Sequence, residues 1–137
     1  MEANDFNQEI IDEFRSHGGV VGGNFQGAPL LLLHSVGRKS GVERVNPVVY
    51  RKVEGGWAVF ASYAGAATNP AWYHNLAAAP ETTIEVGAEK VKVRSREAAG
   101  AERDDIWGAH KATMPGFAEY EEKAGERTIP VLILEPV

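Results

Sequence analysis

The chain has 137 residues, of which 44% are hydrophobic and 24% charged, and a formal net charge of −5. These proportions describe one globular domain over residues 1–137 that buries its core without staples, and they exclude a collagen-like, disordered or helix-spanned membrane protein. No cysteine is present, which removes disulfides, thiolate nucleophiles and Cys-ligated metals, and the acidic balance argues against nucleic acid as a partner.

The first residues lack the basic and apolar regions of a secretory leader, so the cytoplasm is the expected location. Phe6, Ile10, Ile11 and Phe14 recur at helical spacing, and residues 5–16 are expected to form an amphipathic helix that Gly18 and Gly19 end, making an N-terminal segment over 1–19. Such a helix can lid a pocket, touch a membrane surface or pack on a partner, although its acidic polar face weighs against anionic lipid. From Val20 the chain holds Gly22, Gly23 and Gly27 without the G-x-G-x-x-G spacing or a preceding strand, and is expected to connect rather than to cradle phosphate.

The apolar run at 30–36, bounded by Pro29 and Gly37, suits a strand buried on both faces. It leads into Gly37-Arg38-Lys39-Ser40-Gly41, where glycines let the backbone turn tightly while Arg38 and Lys39, with Arg44 close behind, concentrate positive charge. The turn is either an anion-binding loop or an ordinary solvated hairpin turn. Residues 42–53 form a second strand with a break at Pro47, which cannot donate to a ladder and so marks a bulge or an edge.

Glu54-Gly55-Gly56 makes a hairpin turn into a third strand at 57–62. Asn69 is expected to cap, and Pro70 to open, a short helix that reaches Ala78 and is stopped by Pro80. Strands follow at 82–86 and 89–96; the second alternates Val91 and Val93 with Lys90, Lys92, Arg94 and Arg96, the wet face of a half-buried strand. Helices at 98–111 and, past Pro115-Gly116, at 117–123 precede a closing strand at 128–135. The sum is a mainly β fold of about six mostly antiparallel strands, curled into a small barrel that removes their edges, with helices packed on it.

His17, His34, His74 and His110 show no metal-ligand spacing, so no metal site is expected, and neither Ser35 nor Ser62 sits in a G-x-S-x-G elbow. The acid pairs Asp12/Glu13, Asp104/Asp105 and Glu121/Glu122 read as solvated helix faces. A chain with so little reactive chemistry of its own points to a cofactor that carries it.

Gly37-Arg38-Lys39-Ser40-Gly41, Arg44-Val45-Asn46-Pro47, Asn69-Pro70-Ala71-Trp72-Tyr73-His74-Asn75-Leu76 and Arg127-Thr128-Ile129-Pro130-Val131, in this order, resemble the deazaflavin-dependent nitroreductases of the split-barrel superfamily. The likeness begins near Gly27-Ala28-Pro29 and covers most of the chain. It implies a split β-barrel that binds coenzyme F420, a deazaflavin hydride donor with an anionic phospholactyl-oligoglutamate tail. It implies tail binding by Arg38, Lys39 and Arg44, with further tail or phosphate contacts from Trp72 and Asn75; for Trp72 the alternative is core packing. Asn46, Pro47, Ala61 and Ser62 match the stretches that lie along the ring. Ser62 is the expected polar group at the reaction centre, the alternative being a strand-end serine bonded to its own backbone, and Tyr120 is a second candidate proton donor.

Two departures bear on this expectation. Tyr63 stands where many members carry a lysine, and Val48, Val49, Met114, Phe117 and Tyr120 make a more apolar substrate wall than the tyrosine-rich one of the nitroimidazole reducers. The implied activity is hydride transfer to a small electron-poor acceptor such as a quinone, an activated enone or a nitro compound. The alternatives are a coenzyme carrier without turnover and a barrel that holds FMN or haem. The oligomeric state stays open between monomer and homodimer.

Overall fold

The computed structural model describes residues 3–19, 29–62, 65, 66 and 68–137. In chain order the elements are α1 (Ala3–Ser16), β1 (Leu30–Val36), β2 (Glu43–Val53), β3 (Gly56–Phe60), α2 (Ala71–Ala78), β4 (Glu81–Val86), β5 (Glu89–Glu97), α3 (Gly100–Thr113), α4 (Gly116–Ala124) and β6 (Val131–Pro136). The strands close into an antiparallel barrel in the order β1-β2-β3-β6-β5-β4, because β1 pairs with both β2 and β4. The expected barrel is therefore the observed one. The expected connecting loop at residues 20–28, Tyr63 and the side chain of Phe6 lie outside the described residues.

Strand β1 is buried on both faces because each face has its own cover. Leu31 and Leu33 pack in the barrel interior with Val59, Ile84, Val93 and Leu134, while Leu30 and Leu32 lie under Ile10, Ile11 and Phe14 of α1. Each fully buried leucine contributes roughly 1.5–3 kcal/mol, so the outer half of β1 depends on the helix. Arg15 in the last turn of α1 fixes it there through a bidentate pair with Glu85 on β4, at 3.0 and 2.7 Å. The apolar face of α1 is thus used against the chain's own barrel. No helix among the described residues is long and apolar enough to cross a membrane. On β5, Val93 points inward, and the outward cations Arg94 and Arg96 pair with Glu81, Glu102 and Glu135, as a wet face should.

Strand β2 departs from its expected break. Its register with β1 runs unbroken from Leu30↔Val49 to Val36↔Glu43, with no bulge at Pro47. Tyr50 N–H donates to Pro29 O at 3.0 Å, which makes the even-numbered residues of β2 the ones that bond to β1. Pro47 is odd, so the N–H it lacks would face the other way, and β3 pairs with β2 only from Tyr50 onward. The proline sits at a local edge and removes no ladder bond.

Asn69 is a second correction. Pro70 occupies the cap position of α2 with no side-chain cap bond, and Asn69 Oδ1 instead accepts from Arg127 Nη1 at 2.6 Å. Arg127 explains the strand ends as well. Its guanidinium donates to Ala61 O at 2.9 Å, Ser62 O at 2.6 Å and Ala66 O at 2.9 Å, carbonyls that a longer β3 would have turned to a neighbouring strand. Strand β3 stops at Phe60 rather than Ser62, and β6 starts at Val131 rather than residue 128. Replacing Arg127 with alanine takes a donor from four acceptors at once and should lower stability by roughly 2–4 kcal/mol. A urea titration is expected to show a lower midpoint at unchanged slope; an unmoved midpoint would remove the clamp from the account.

Helices α3 and α4 cover Phe60. His110 stacks on it with ring centroids 3.9 Å apart, and Phe117 meets the imidazole edge-on at 4.4 Å. Burial first, and then the charge of Arg51, hold the His110 imidazole down at about 4 against an ordinary 6.5. A depressed folded value means that the neutral ring's contribution is complete above pH 6.5 and is lost as pH falls through about 4. Stability should drop by about 2 kcal/mol between pH 7 and pH 5 from this group. In His110→Leu that portion of the pH dependence of the denaturation midpoint is expected to vanish; an unaltered slope would show that the ring titrates normally.

Candidate functional site

The parting of β2 from β3 makes an opening in the barrel wall. Tyr50↔Val59 is the last pair between them; Phe60 goes on to pair with Val131, and Ala61 N–H donates to Pro130 O at 3.0 Å. Beyond that point the backbone of Val45, Pro47 and Val49 faces a side from which β3 has turned away. Asn46 and Pro47 therefore stand along one lip of the cleft, and Ala61 and Ser62 along the other. Asn46 pairs with Leu33 and shares the inward face of β2 with Val48, while Pro47 faces outward.

Ser62 is 8% exposed. Its carbonyl accepts from Arg127 and from Gly65 N–H at 2.9 Å, whereas its hydroxyl has no partner among the described residues and is not tied to its own backbone. Gly65 is required where the loop behind Ser62 meets α4. Its φ is +79°, and a Cβ there would come within 2.8 Å of Lys123 Cβ and 2.9 Å of Tyr120 O. Tyr120 is half-buried on α4, its ring edge-on to Phe117 at 5.3 Å, and its hydroxyl makes no bond to Ser62.

The β1–β2 turn closes one end of the cleft. Gly37 N–H donates to Val42 O at 2.9 Å and Gly41 N–H to Gly37 O at 2.8 Å, with Gly41 at φ +72°, a conformation that favours glycine. Asn75 of α2 anchors this turn to the barrel. Its Oδ1 accepts from the Arg38 N–H at 3.1 Å and its Nδ2 donates to Ser35 Oγ at 3.2 Å, with Asn75 and Ser35 both buried. Trp72, one turn earlier, is 7% exposed and packs in the barrel-interior cluster with Leu76. Of the two helix residues named from the sequence, Asn75 touches the turn and Trp72 lies in the core.

The side chains of Arg38, Lys39 and Arg44 are exposed and have no hydrogen-bond or ion-pair partner among the described residues. Every other arginine has one: Arg15 with Glu85, Arg51 with Thr113, Arg94 with Glu81, Arg96 with Glu102, Arg103 and Arg127 with backbone carbonyls. Arg44 sits opposite Ser35 in the ladder, the same serine that Asn75 holds, so the guanidinium-bearing positions on either side of the turn converge on one anchored segment. In a chain of net charge −5, unneutralised cations on a fixed turn make a local patch of positive potential. Arg pairs with planar anions through two parallel bonds, and Lys acts as a point charge. No cluster of His, Cys, Asp and Glu suited to a metal ion occurs among the described residues.

Sequence reasoning missed Arg127 and His110 as shaping residues. Arg127 stands in the quoted Arg127-Thr128-Ile129-Pro130 motif, so its position was visible although its partners were not.

The model of the F420H(2)-dependent quinone reductase family matches residues 7–136. The F420H(2)-dependent quinone reductase Rv1261c of Mycobacterium tuberculosis is 30% identical over 125 residues, covering 88% of this chain and 83% of its own. Rv3178 of the same organism is 37% identical over 110 residues, covering 79% and 90%. Among solved structures, an F420-H2 dependent reductase (FDR-A) superposes with a TM-score of 0.70 at 34% identity, over 78% of this chain and 94% of that one. A structure described as a domain-swapped dimer reaches 0.72 at 30% identity, over 98% and 100%. The haem storage protein HutZ of Vibrio cholerae, at 14% identity and a TM-score of 0.61, shares the fold alone. With a family match that spans nearly its whole length, the chain belongs to the F420H(2)-dependent quinone reductase family.

Proposed function

We propose that this protein is an F420H2-dependent reductase that passes hydride to a quinone or similar electron-poor acceptor, working in the cytoplasm. The observation that carries the reading is the anchored turn with three unpartnered cations, Arg38, Lys39 and Arg44, at the end of an open cleft between β2 and the segment after β3. The reduced deazaflavin, when bound, supplies a hydride, and a quinone that takes it up with one proton from water becomes the quinol.

The chain's own residues bind, orient and exclude water. Arg38, Lys39 and Arg44 take the anionic tail, with Asn75 as the positioning residue that fixes their turn. The backbone along Val45, Pro47 and Val49, together with Asn46, Ala61 and Ser62, lines the ring. The Ser62 hydroxyl, without a partner, is the polar group at the reacting face, and Tyr120 stands farther out on α4. Trp72 acts by seating α2 in the core. The apolar wall of Val49, Met114 and Phe117 favours quinones over nitroimidazoles. The relative described as a domain-swapped dimer supports a homodimer as one available assembly.

Lys39→Ala should weaken coenzyme F420 binding by roughly 1.5–3 kcal/mol, the scale of a charge-assisted hydrogen bond, with the fold intact. Fluorescence titration of the purified protein checks it, followed by multiple turnover with reduced coenzyme and menadione. Unchanged affinity would take Lys39 out of the site. Tight binding without acceleration of menadione reduction would make the protein a carrier, and a preference for FMN or haem would replace the coenzyme.

A further inference from the structure

A cavity of about 470 Å³ lies between the far end of β2 and the end of α3. Pro29, Tyr50 and Met114 give it apolar walls, and Arg51, Lys52 and His110 its polar groups. Its size falls within the range of small-molecule sites, roughly 300–1,000 Å³. Arg51 lies seven strand steps from Arg44, on the order of 20 Å at strand rise, so this cavity is a different place from the basic turn.

Its charges lack counter-ions. Arg51 uses one Nη to donate to Thr113 Oγ1 at 3.1 Å, which leaves the rest of its fork free. Lys52 donates to Gly56 O at 3.0 Å and lies 4.5 Å over the Trp57 ring. Neither has a carboxylate within ion-pair distance among the described residues, in an acidic chain. His110 is 2% exposed, and its Nε2 is buried with no hydrogen-bond partner among the described residues. A buried polar atom left unpaired is destabilising. The same imidazole stays neutral at ordinary pH, held at about 4 by burial and by Arg51, so it adds no third positive charge to the wall.

We infer that this cavity binds an aromatic ligand with an acidic substituent, a carboxylate or sulfonate, whose charge meets Arg51 while its ring lies against Pro29 and Met114. Identification of that ligand as the electron acceptor rests on the reductase reading; the aromatic-anion site itself does not. Tyr50 on the cavity lies three strand steps from Pro47 on the cleft, about 10 Å at strand rise, which sets the cavity beside the ring's expected place and away from the tail's.

Calorimetric titration of the full chain without coenzyme tests this, with naphthalene sulfonate and uncharged naphthyl methanol as paired probes. The sulfonate is expected to bind about tenfold tighter or better, equivalent to about 1.4 kcal/mol. That preference should disappear in Arg51→Met, persist in Arg51→Lys, and be untouched by Lys39→Ala. Equal binding of the two probes, or a preference lost with Lys39→Ala and kept in Arg51→Met, would overturn the site. With reduced coenzyme present, Arg51→Met should raise KM for naphthoquinone sulfonate and leave KM for menadione alone; equal effects on both would overturn the selectivity. A calorimetric preference that follows Arg51 in a protein with no turnover would sustain the cavity and contradict the reductase reading instead.

Discussion

The structure depends on a choice that β3 makes after Phe60. It gives up β2 and stays with β6, because Arg127 takes the carbonyls of Ala61, Ser62 and Ala66, and Pro130 takes the Ala61 N–H. A barrel closed along its whole height would be filled by its own side chains and have no room for a ring. Here the wall is sealed at one end of β2 and open at the other, and Pro47 stands in the open half, where a residue without an N–H loses nothing. A single half-buried guanidinium therefore separates a plain barrel from one with a cleft.

The basic turn belongs to the same design. Cations on a loose hairpin would find carboxylates, as the arginines of β5 do with Glu81, Glu102 and Glu135. Those of the turn are held off by the anchoring of their backbone: Asn75 reaches from α2 to the Arg38 N–H and ties Ser35 beneath it. Along β2 the sequence then reads as a series of environments, cationic at the turn, bare backbone beside the cleft, and a half-apolar cavity with uncompensated charge at the end. A long ligand with a charged tail and a flat head, and a second aromatic ligand beyond it, match that series.

Much of this was legible in the sequence where local pattern decides. The bounds of β1, its burial on both faces, the turn at Gly37 to Gly41 and the alternation on β5 follow from runs and periods that a neighbour cannot easily override. Pro47 could be placed at a bulge or an edge, but the choice needed the pairing parity of Tyr50 with Pro29. Asn69 looked like a cap because Asn before Pro usually is one; a partner fifty-eight residues later, Arg127, won its oxygen. Asn75 as an anchor, Trp72 in the core and His110 as an unpaired ring in a cavity depend on which elements meet in space, and no spacing along the chain encodes that. The resemblance supplied the coenzyme, while the physical reason that three cations remain available came only from the fold.

The central claim is that affinity for the coenzyme comes largely from the charged tail at the anchored turn, with the ring seated in the cleft between β2 and Ser62. The most direct test compares the binding of whole coenzyme F420 with that of its tail-less deazaflavin headpiece at low and high salt. The account predicts that the whole coenzyme binds far more tightly, and that added salt narrows the gap by weakening the coenzyme and not the headpiece. Equal affinities for the two at low salt, or a gap that salt leaves unchanged, would contradict it.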